Sequence, residues 1–538
     1  MPAPTVAVTA ALLAVLIGGG EALARIPETA SDYAPGDARY HSYAEMREHI
    51  QAMERAHPDI VRVFSIGRTQ QGRRIWAAEV SDAVGSDEGE PEVLLDGLHH
   101  AREHLSAEQA IAAFDWLVDH YGDGGQLGRR ITRIVDSRRI WIVFMVNPDG
   151  LVHDLGGARA RPGHYRGWRK NRQPNGRGKP VGTDLNRNYG YAFGRAGSSG
   201  SLGSQNYRGL RAFSAPETRA MRDFVESRVV GGRQRITAHI SFHTAGEQVL
   251  WPYGHTRADA PSDMTELDAR ALRALGRAMA ARNGYRAMQS SGLYLTSGDQ
   301  IDWMYARHRI FSYTFELYPR GGAAPRRWYP PDEVIGRETR RNRGAILLLL
   351  EEAACPYAGL SRRSEVRYCG PLFDDLEIDR GWRRDPAGTD NAEAGRWVRK
   401  RARRATLQLG TATSGRGVLF TGRGDVDGGR TTIRSPLFRL PEDGRARLHL
   451  RWWLGHGNGA GPNDGLRVRL VDPDGVELAT LLEVSGDGRR RDPAWRSLST
   501  RIPNGLAGQR VGVLLEAADA GDDALVEAGV DDVRVTHD

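Results

Sequence analysis

Three shortages narrow what this chain can be. Beyond residue 24 it has no stretch approaching the ~18 consecutive apolar residues of a membrane-spanning helix, and the run Ala345 to Leu350 is far too short. No basic recognition motif accompanies the net charge of +8, which is modest for 538 residues and comes almost entirely from arginine. Such a charge suits acidic polymers or anionic surfaces and gives no ground for a nucleic-acid partner. Cysteine is limited to Cys355 and Cys369. They lie close enough to pair, a link worth ~3 kcal/mol on the loop-entropy account, and two free thiols are the alternative.

What is present is globular. A hydrophobic content of 40% and a charged content of 26% do not describe a disordered chain, and the length allows two or three domains. Residues 1–24 read as an export signal, with an apolar core from Ala7 to Ile17 and a small-x-small cleavage site at Ala22-Leu23-Ala24, although a charged start is missing. The expected product is secreted, extracellular or periplasmic. A short polar linker, 25–39, follows.

From residue 40 to 354 strands and helices alternate. Ser42-x-x-Glu45 is a capping box ahead of Tyr43, Met46, Ile50 and Met53 at helical spacing. Ile60 to Ile66, Trp76 to Val80, Val93 to Leu95, Arg139 to Val146, Ile236 to Phe242 and Ile310 to Leu317 read as strands. Helices are expected around Ala107 to Tyr121, after a capping box at Ser214 to Glu217, across Leu267 to Met279 and from Gly336 to Ala354. Asn147-Pro148-Asp149-Gly150 reads as a turn, and 151–212 has no regular periodicity, the mark of a segment that builds a site. This is an α/β class with a mixed central sheet covered by helices on both faces. Residues 355–370 form a linker with the possible disulfide. Residues 371–538 carry short alternating runs between Gly, Asp and Pro turns and are expected to form an all-β sandwich.

The densest chemistry is Gly97-Leu98-His99-His100-Ala101-Arg102-Glu103-His104, just past an apolar strand. Two metal readings compete there. His100 and Glu103 supply two zinc ligands with a distant third, or His100, Glu103 and His104 form an inverted zincin motif with Glu103 as base. Ligands in an open α/β sheet gather beyond the carboxyl ends of strands. At two other such ends stand His243, in Ile240-Ser-Phe-His243, and Glu316, in an otherwise apolar strand where an unpartnered acid is costly. His100, Glu103 and His243 then give a His₂Glu zinc set with one open position, and Glu316 is left as the base. His239, mid-strand, reads as a core histidine.

These residues, together with Asn147-Pro-Asp-Gly, Arg166-Gly-Trp-Arg169-Lys, Asp184-Leu-Asn186-Arg187-Asn188, Leu293-Tyr294-x-x-Ser-Gly and Phe315-Glu316-Leu in order, resemble the zinc metallocarboxypeptidases of the carboxypeptidase A type. The bacterial, carboxypeptidase T-like branch is the most similar. The resemblance spans Tyr40 to Ala354. It implies that His100, Glu103 and His243 bind one Zn²⁺, leaving His99 and His104 as bystanders. It further implies that Glu316 takes a proton from the attacking water and delivers it to the departing amine. Arg169 would face the developing oxyanion, and Asn186 with Arg187 would clamp the free carboxylate of a peptide C-terminus. Arg102 would add carboxylate or backbone contacts and Tyr294 would close over the bound residue. Ile301 sets an apolar or aromatic preference, with Asp299 able to receive a basic side chain. Specificity is expected to be broad with an apolar bias.

The C-terminal stretch resembles the jelly-roll modules of secreted bacterial peptidases, on Thr432-Ile-Arg-Ser-Pro, Trp452-Trp453-Leu-Gly-His456-Gly and Val526-Glu-Ala-Gly-Val-Asp531-Asp532. Asp425, Asp427, Asp531 and Asp532 offer oxygen ligands for Ca²⁺ or serve as turn acids. Trp452 and Trp453 offer a sugar-stacking face, or one of them is core. The run Arg396 to Arg404 is a solvated edge able to meet anionic cell-surface polymers. Two alternatives stay beside the peptidase: the same centre directed at cell-wall peptides, and a non-catalytic surface-binding protein working through its β module.

Overall fold

The structure is a computed structural model describing residues 33–156, 162–179, 181–230, 233–361, 368–405, 407–422, 425–520 and 524–537. The expected export signal lies outside the described residues. Residues 33–39, expected as linker, pack onto the first lobe. Tyr33 is buried, stacked on Tyr40 at 5.2 Å and edge-on to His104.

The first lobe is built on eight strands: β1 (Val61–Arg68), β2 (Arg74–Val80), β3 (Glu92–Gly97), β4 (Arg139–Val143), β5 (Ile236–Thr244), β6 (Gln248–Trp251), β7 (Arg286–Gln289) and β8 (Phe311–Leu317). Their order across the sheet is β1-β2-β4-β3-β5-β8-β6-β7, and the central neighbours β4-β3-β5-β8 run parallel. Every residue of β3 is buried, as a strand covered on both faces requires. Because side chains alternate, Val93 and Leu95 enter one core and Leu94 the other. The larger core is closed by α2 (His104–Asp119), α6 (Glu266–Asn283) and α8 (Ile335–Glu352); the smaller by α5 (Pro216–Ser227) and α7 (Gln300–His308). The mixed sheet with helices on both faces is therefore as expected.

Local chemistry explains both agreements and differences. Helix α1 (Tyr43–Ala56) starts at the expected capping box, in which the Ser42 side chain accepts from Glu45 N and Glu45 Oε2 from Ser42 N. The Asn147 turn is instead the start of a helix, α4 (Pro148–Leu155): the Asn147 side chain accepts from Gly150 N at 3.0 Å, and Pro148 sits at the first turn where its missing N–H is harmless. Helix α3 (Gln126–Val135) is not among the expected helices, although Leu127, Ile131, Ile134 and Val135 stand at i, i+4, i+7 and i+8 and form its core-facing side among arginines. At α5 the capping box does not form. Ala215 holds the cap position, while Ser214 Oγ accepts from Asn188 Nδ2 at 3.0 Å and Glu217 accepts from Asn171 Nδ2 at 2.7 Å.

Cys355 and Cys369 are disulfide-bonded, with Cα atoms 5.3 Å apart. Beyond them the C-terminal region forms two antiparallel sheets. One holds Trp397–Arg401, Gly417–Thr421, Val526–His537, Ala446–His456 and Arg496–Arg501 in that spatial order; the other holds Gly429–Arg434, Arg510–Asp519, Gly465–Val471 and Glu477–Ser485. Inward residues such as Leu448, Leu450, Val468, Leu470, Val513 and Leu515 make one core, the arrangement of a β sandwich. Trp452 enters that core, and Trp453 is buried in a small separate cluster with Val418 and Phe420. The expected sugar-stacking face is thus absent, because both indoles are needed for packing. The sandwich leans on the first lobe through Phe373, whose ring meets Tyr357 at 5.7 Å, and Tyr357 donates to Asp268 Oδ1 on α6 at 2.7 Å. No described helix is long and apolar enough to cross a membrane.

Candidate active site

The site assembles where three parallel strands end side by side. Strand β3 stops at Gly97, where a Cβ would stand 2.4 Å from the Ser106 carbonyl oxygen, so only glycine lets the strand end meet the start of α2. Leu98 then takes φ 60°, a left-handed turn that a side chain resists. This sharp reversal throws His100 and Glu103 back over the sheet. On β5, His243 lies near the carboxyl end, and Glu316 on β8 is its register partner. The fourth part comes from segments 164–179 and 181–213, which bring Arg169, Asn186 and Arg187 to the cleft with Asp184 behind Arg169.

The distances are short. His100 Nδ1 lies 2.8 Å from Glu103 Oε1, His243 Nδ1 lies 2.9 Å from Glu103 Oε2, and the two Nδ1 atoms are 3.1 Å apart. All three side chains are buried. Two imidazole nitrogens and a carboxylate aimed at one point can share a cation, and the spacing suits bonds of ~2 Å to a single zinc. The donor set therefore fits the ion. Burial alone would push the Glu103 carboxyl up, but His100 and His243 hold it well below the usual carboxylate range. His100 turns its other nitrogen to Asp184 Oδ1 at 3.2 Å, the outer carboxylate that fixes a ligating ring.

Asp184 has a second task. Its other oxygen accepts from Arg169 Nε at 3.0 Å, and Arg169 Nη1 reaches within 3.6 Å of Glu103. Against burial, Arg169 and His100 keep Asp184 ionised. Against burial likewise, Asp184 and Glu103 hold the Arg169 guanidinium charged. Glu316 is the opposite case. Desolvation raises it to about 7 and Glu103 pushes the same way, with His243, Arg169 and Arg327 opposing. A carboxylate held near neutrality beside the His₂Glu cluster is what proton transfer at physiological pH requires.

Towards one side of the cluster, Asn186 Oδ1 accepts from Gln300 N at 2.9 Å, which turns its amide nitrogen towards the cleft and His243 Nε2, 3.4 Å away. Arg187 donates through Nε to Gly197 O at 2.9 Å, and its Cζ lies 6.0 Å from the Tyr294 ring. Gly298, at φ +67°, would place a Cβ 2.5 Å from Arg187 O, so the loop carrying Tyr294 can seat against Arg187 only through glycine. Tyr294 is 49% exposed at the rim. Leu250, Leu293, Thr314 and Ile301 line the cleft with Asp299. Asp299 is committed elsewhere: Oδ1 caps α7 by accepting from Asp302 N at 3.0 Å, and Oδ2 accepts from the Thr296 hydroxyl. Burial, then the charge of Asp302, push it up to about 7. Arg102 lies on the other side, stacked 3.7 Å over Trp328. The cleft offers about 250 Å³.

The remaining histidines face away. His104 Nε2 meets Asp154 Oδ2 at 3.0 Å among aromatic rings, so the inverted zincin geometry does not exist. His99 turns to the Tyr189 hydroxyl at 2.9 Å. His239, as expected of a core histidine, sits between Ser312 Oγ and Asp96 Oδ2 at 2.6 and 2.7 Å. In the β module Asp531 and Asp532 accept from Thr413 and Ser414, and none of Asp425, Asp427, Asp531 and Asp532 joins a metal-holding group among the described residues. Sequence reasoning missed the double role of Asp184 and the Gln300, Arg327 and Trp328 contributions. An acid next to Asn and Arg, or a basic-aromatic pair in a loop, carries no spacing signal of its own.

The strand-end cluster of two imidazoles and one carboxylate in an α/β sheet defines a zinc hydrolase. The zinc carboxypeptidase family profile matches residues 46–345, and the chain belongs to that family. It is 43% identical over 324 residues to the zinc carboxypeptidase of Saccharothrix mutabilis subsp. capreolus, covering 60% of this chain and 72% of that one. Carboxypeptidase A1 of Bos taurus is 31% identical over 287 residues, 53% of this chain and 64% of its own. Among solved structures, carboxypeptidase A from Helicoverpa armigera superposes with a TM-score of 0.50 at 27% identity, over 60% of this chain and 75% of that one. The family match ends before the β sandwich.

Proposed function

We propose that this zinc metallocarboxypeptidase is a secreted exopeptidase that removes single residues from peptide C-termini, with broad specificity biased towards apolar and aromatic ends. The observation carrying this reading is the convergence of His100, Glu103 and His243 with Glu316 beside them and Asn186–Arg187 across the cleft. Zinc, when bound by the three side chains, supplies Lewis acidity and lowers the pKa of water. Glu316, half-buried and raised towards neutrality, accepts the proton of the attacking water and returns it to the departing amine. Arg169 presents a fixed positive charge where the carbonyl oxygen becomes anionic. Asn186 and Arg187 hold the terminal carboxylate, so a mid-chain bond, lacking that anion, is refused.

Ile301, 3% exposed, and Leu250 favour apolar side chains. Asp299 supports at most a secondary acceptance of Lys or Arg, since both its oxygens already accept hydrogen bonds. The Cys355–Cys369 disulfide and the apolar leader support export. Digestion of a defined peptide mixture read by mass spectrometry tests the reading. Single-residue losses from C-termini, abolished by chelation and restored by zinc, are expected; internal cleavage, or activity indifferent to chelation, overturns it. Kinetics on peptides ending in Phe, Leu, Lys and Arg test the bias, and a strict preference for basic ends refutes it.

A further inference from the structure

The cleft has two unlike halves, and only one is absorbed by the reading above. Asn186, Arg187, Tyr294 and Ile301 lie on the side that takes the departing residue. The other side is walled by Arg102, Trp328, Arg327, Thr244 and Ala245. The two groups share only the residues around the ligand cluster: Thr244 N donates to Glu103 Oε2 at 3.2 Å, and Ala245 follows it. A substrate whose free end sits on Arg187 therefore lays its preceding residues over this second wall.

That wall carries two guanidinium groups held in no ion pair among the described residues. Elsewhere in the lobe guanidinium groups meet carboxylates, as in Arg169 with Asp184, Arg139 with Glu79 and Arg228 with Glu92. Among the described residues neither Arg102 nor Arg327 makes an ion pair. Arg102 is flattened on Trp328, and its Nη1 donates to Gly167 O at 3.3 Å, while its buried Nε donates to nothing described. Arg327 is exposed and lines the cleft, and it donates through Nη2 to Ala245 O at 2.9 Å, which fixes the group at the cleft edge. An arginine pinned by a backbone carbonyl and an arginine pinned by an indole have both lost rotamer freedom in advance, so a carboxylate entering between them gains charge-assisted bonds at small entropic cost.

We infer that Arg327, with the Arg102–Trp328 stack beside it, forms a subsite selecting an acidic side chain, Glu or Asp, at the penultimate residue of the peptide. This rests on the carboxypeptidase reading and deepens it. Arg327 acts here as a specificity determinant, and the removed residue is still chosen by the opposite half of the cleft.

The test is a competition assay. The zinc-loaded protein digests acetyl-Ala-Glu-Leu and acetyl-Ala-Gln-Leu together, and the ratio of their kcat/KM values is read directly. That ratio does not depend on how much of a preparation is folded. Glu and Gln differ in charge and hardly in shape. The wild type is expected to favour Glu by about 5–10-fold at low salt, falling towards parity in molar salt. Arg327→Gln is expected to bring the ratio within about 2-fold of parity, and Arg327→Lys to keep an intermediate preference. A wild-type ratio at or below parity, a ratio insensitive to salt, or a Glu preference surviving in Arg327→Gln overturns the subsite. Failure to release leucine from either peptide by the zinc-loaded wild type overturns the carboxypeptidase reading instead.

Discussion

The two lobes bury polar groups for opposite ends. In the first, buried carboxylates and imidazoles point at one another across strands and finish at a cavity. Asp96 alone accepts from Ser241 at 2.8 Å and from Gln300 Nε2 at 2.7 Å while facing His239, and Gln300 in turn orients Asn186. In the β sandwich, buried acids secure loops or nearby arginines: Asp464 takes the Gly461 and Ala520 amides, Asp531 the Thr413 amide, and Glu516 the Arg469 guanidinium. Desolvating a polar group is costly in either place. Where the partners are loops the return is a fixed shape, and where they lead to a cleft it is a prearranged reaction geometry. The contrast places converging polar groups in the first lobe and loop-fixing ones in the second.

Four measurements break or sharpen that contrast. Glu316→Gln should lower kcat by ~10²–10⁴-fold with unchanged zinc content by metal analysis; retained turnover would remove Glu316 from the proton path. Trp453→Ala, whose indole packs on Gly529, should reduce unfolding free energy by ~3–5 kcal/mol and leave kcat/KM of the folded fraction alone. A matching loss of kcat/KM would mean the lobes are not separable in function. The third concerns pH. Burial raises Asp374, at the lobe junction, from 3.8 to about 6. The folded state thus holds a proton that the unfolded chain has released between those values, and stability falls as pH rises from about 4 to about 6, by at most ~3 kcal/mol. Urea titrations across that window should show the decline, flattened in Asp374→Asn; a flat wild-type profile contradicts it. Smallest, Asp184→Asn should weaken zinc affinity and activity together by ~10–100-fold, visible as a shifted chelator titration.

Much of the first lobe was legible before any coordinates. His100 and Glu103 follow an apolar strand, and His243 and Glu316 stand in strands where a charged or ligating group has no other reason to be. Those signals are local and survive reading in one dimension. What escaped is contact between remote segments. Helix α3 is an exception, since the helical spacing of Leu127, Ile131, Ile134 and Val135 is readable in one dimension. Ser214 looks like a cap, yet the tertiary bond from Asn188 claims its hydroxyl. Asp299 could be placed in the specificity region, while its engagement with Thr296 and the α7 cap depends on folded geometry. In the β module, alternation revealed strands but not their spatial order, because antiparallel neighbours come from opposite ends of the segment. Trp452 and Trp453, read as a sugar-stacking face or as one surface and one core residue, are both buried, on opposite faces of their strand in two separate cores.

The double attachment of Asp184 has a consequence for evolution and for inhibition. A single side chain steadies both the ring proposed to grip the ion and the guanidinium proposed to meet the oxyanion. The two functions are mechanically geared: neither can drift to suit a new substrate without dragging the other. A compound wedged under Arg169 should therefore loosen the metal as well as occupy the cleft, an effect that simple competition for the peptide would not produce.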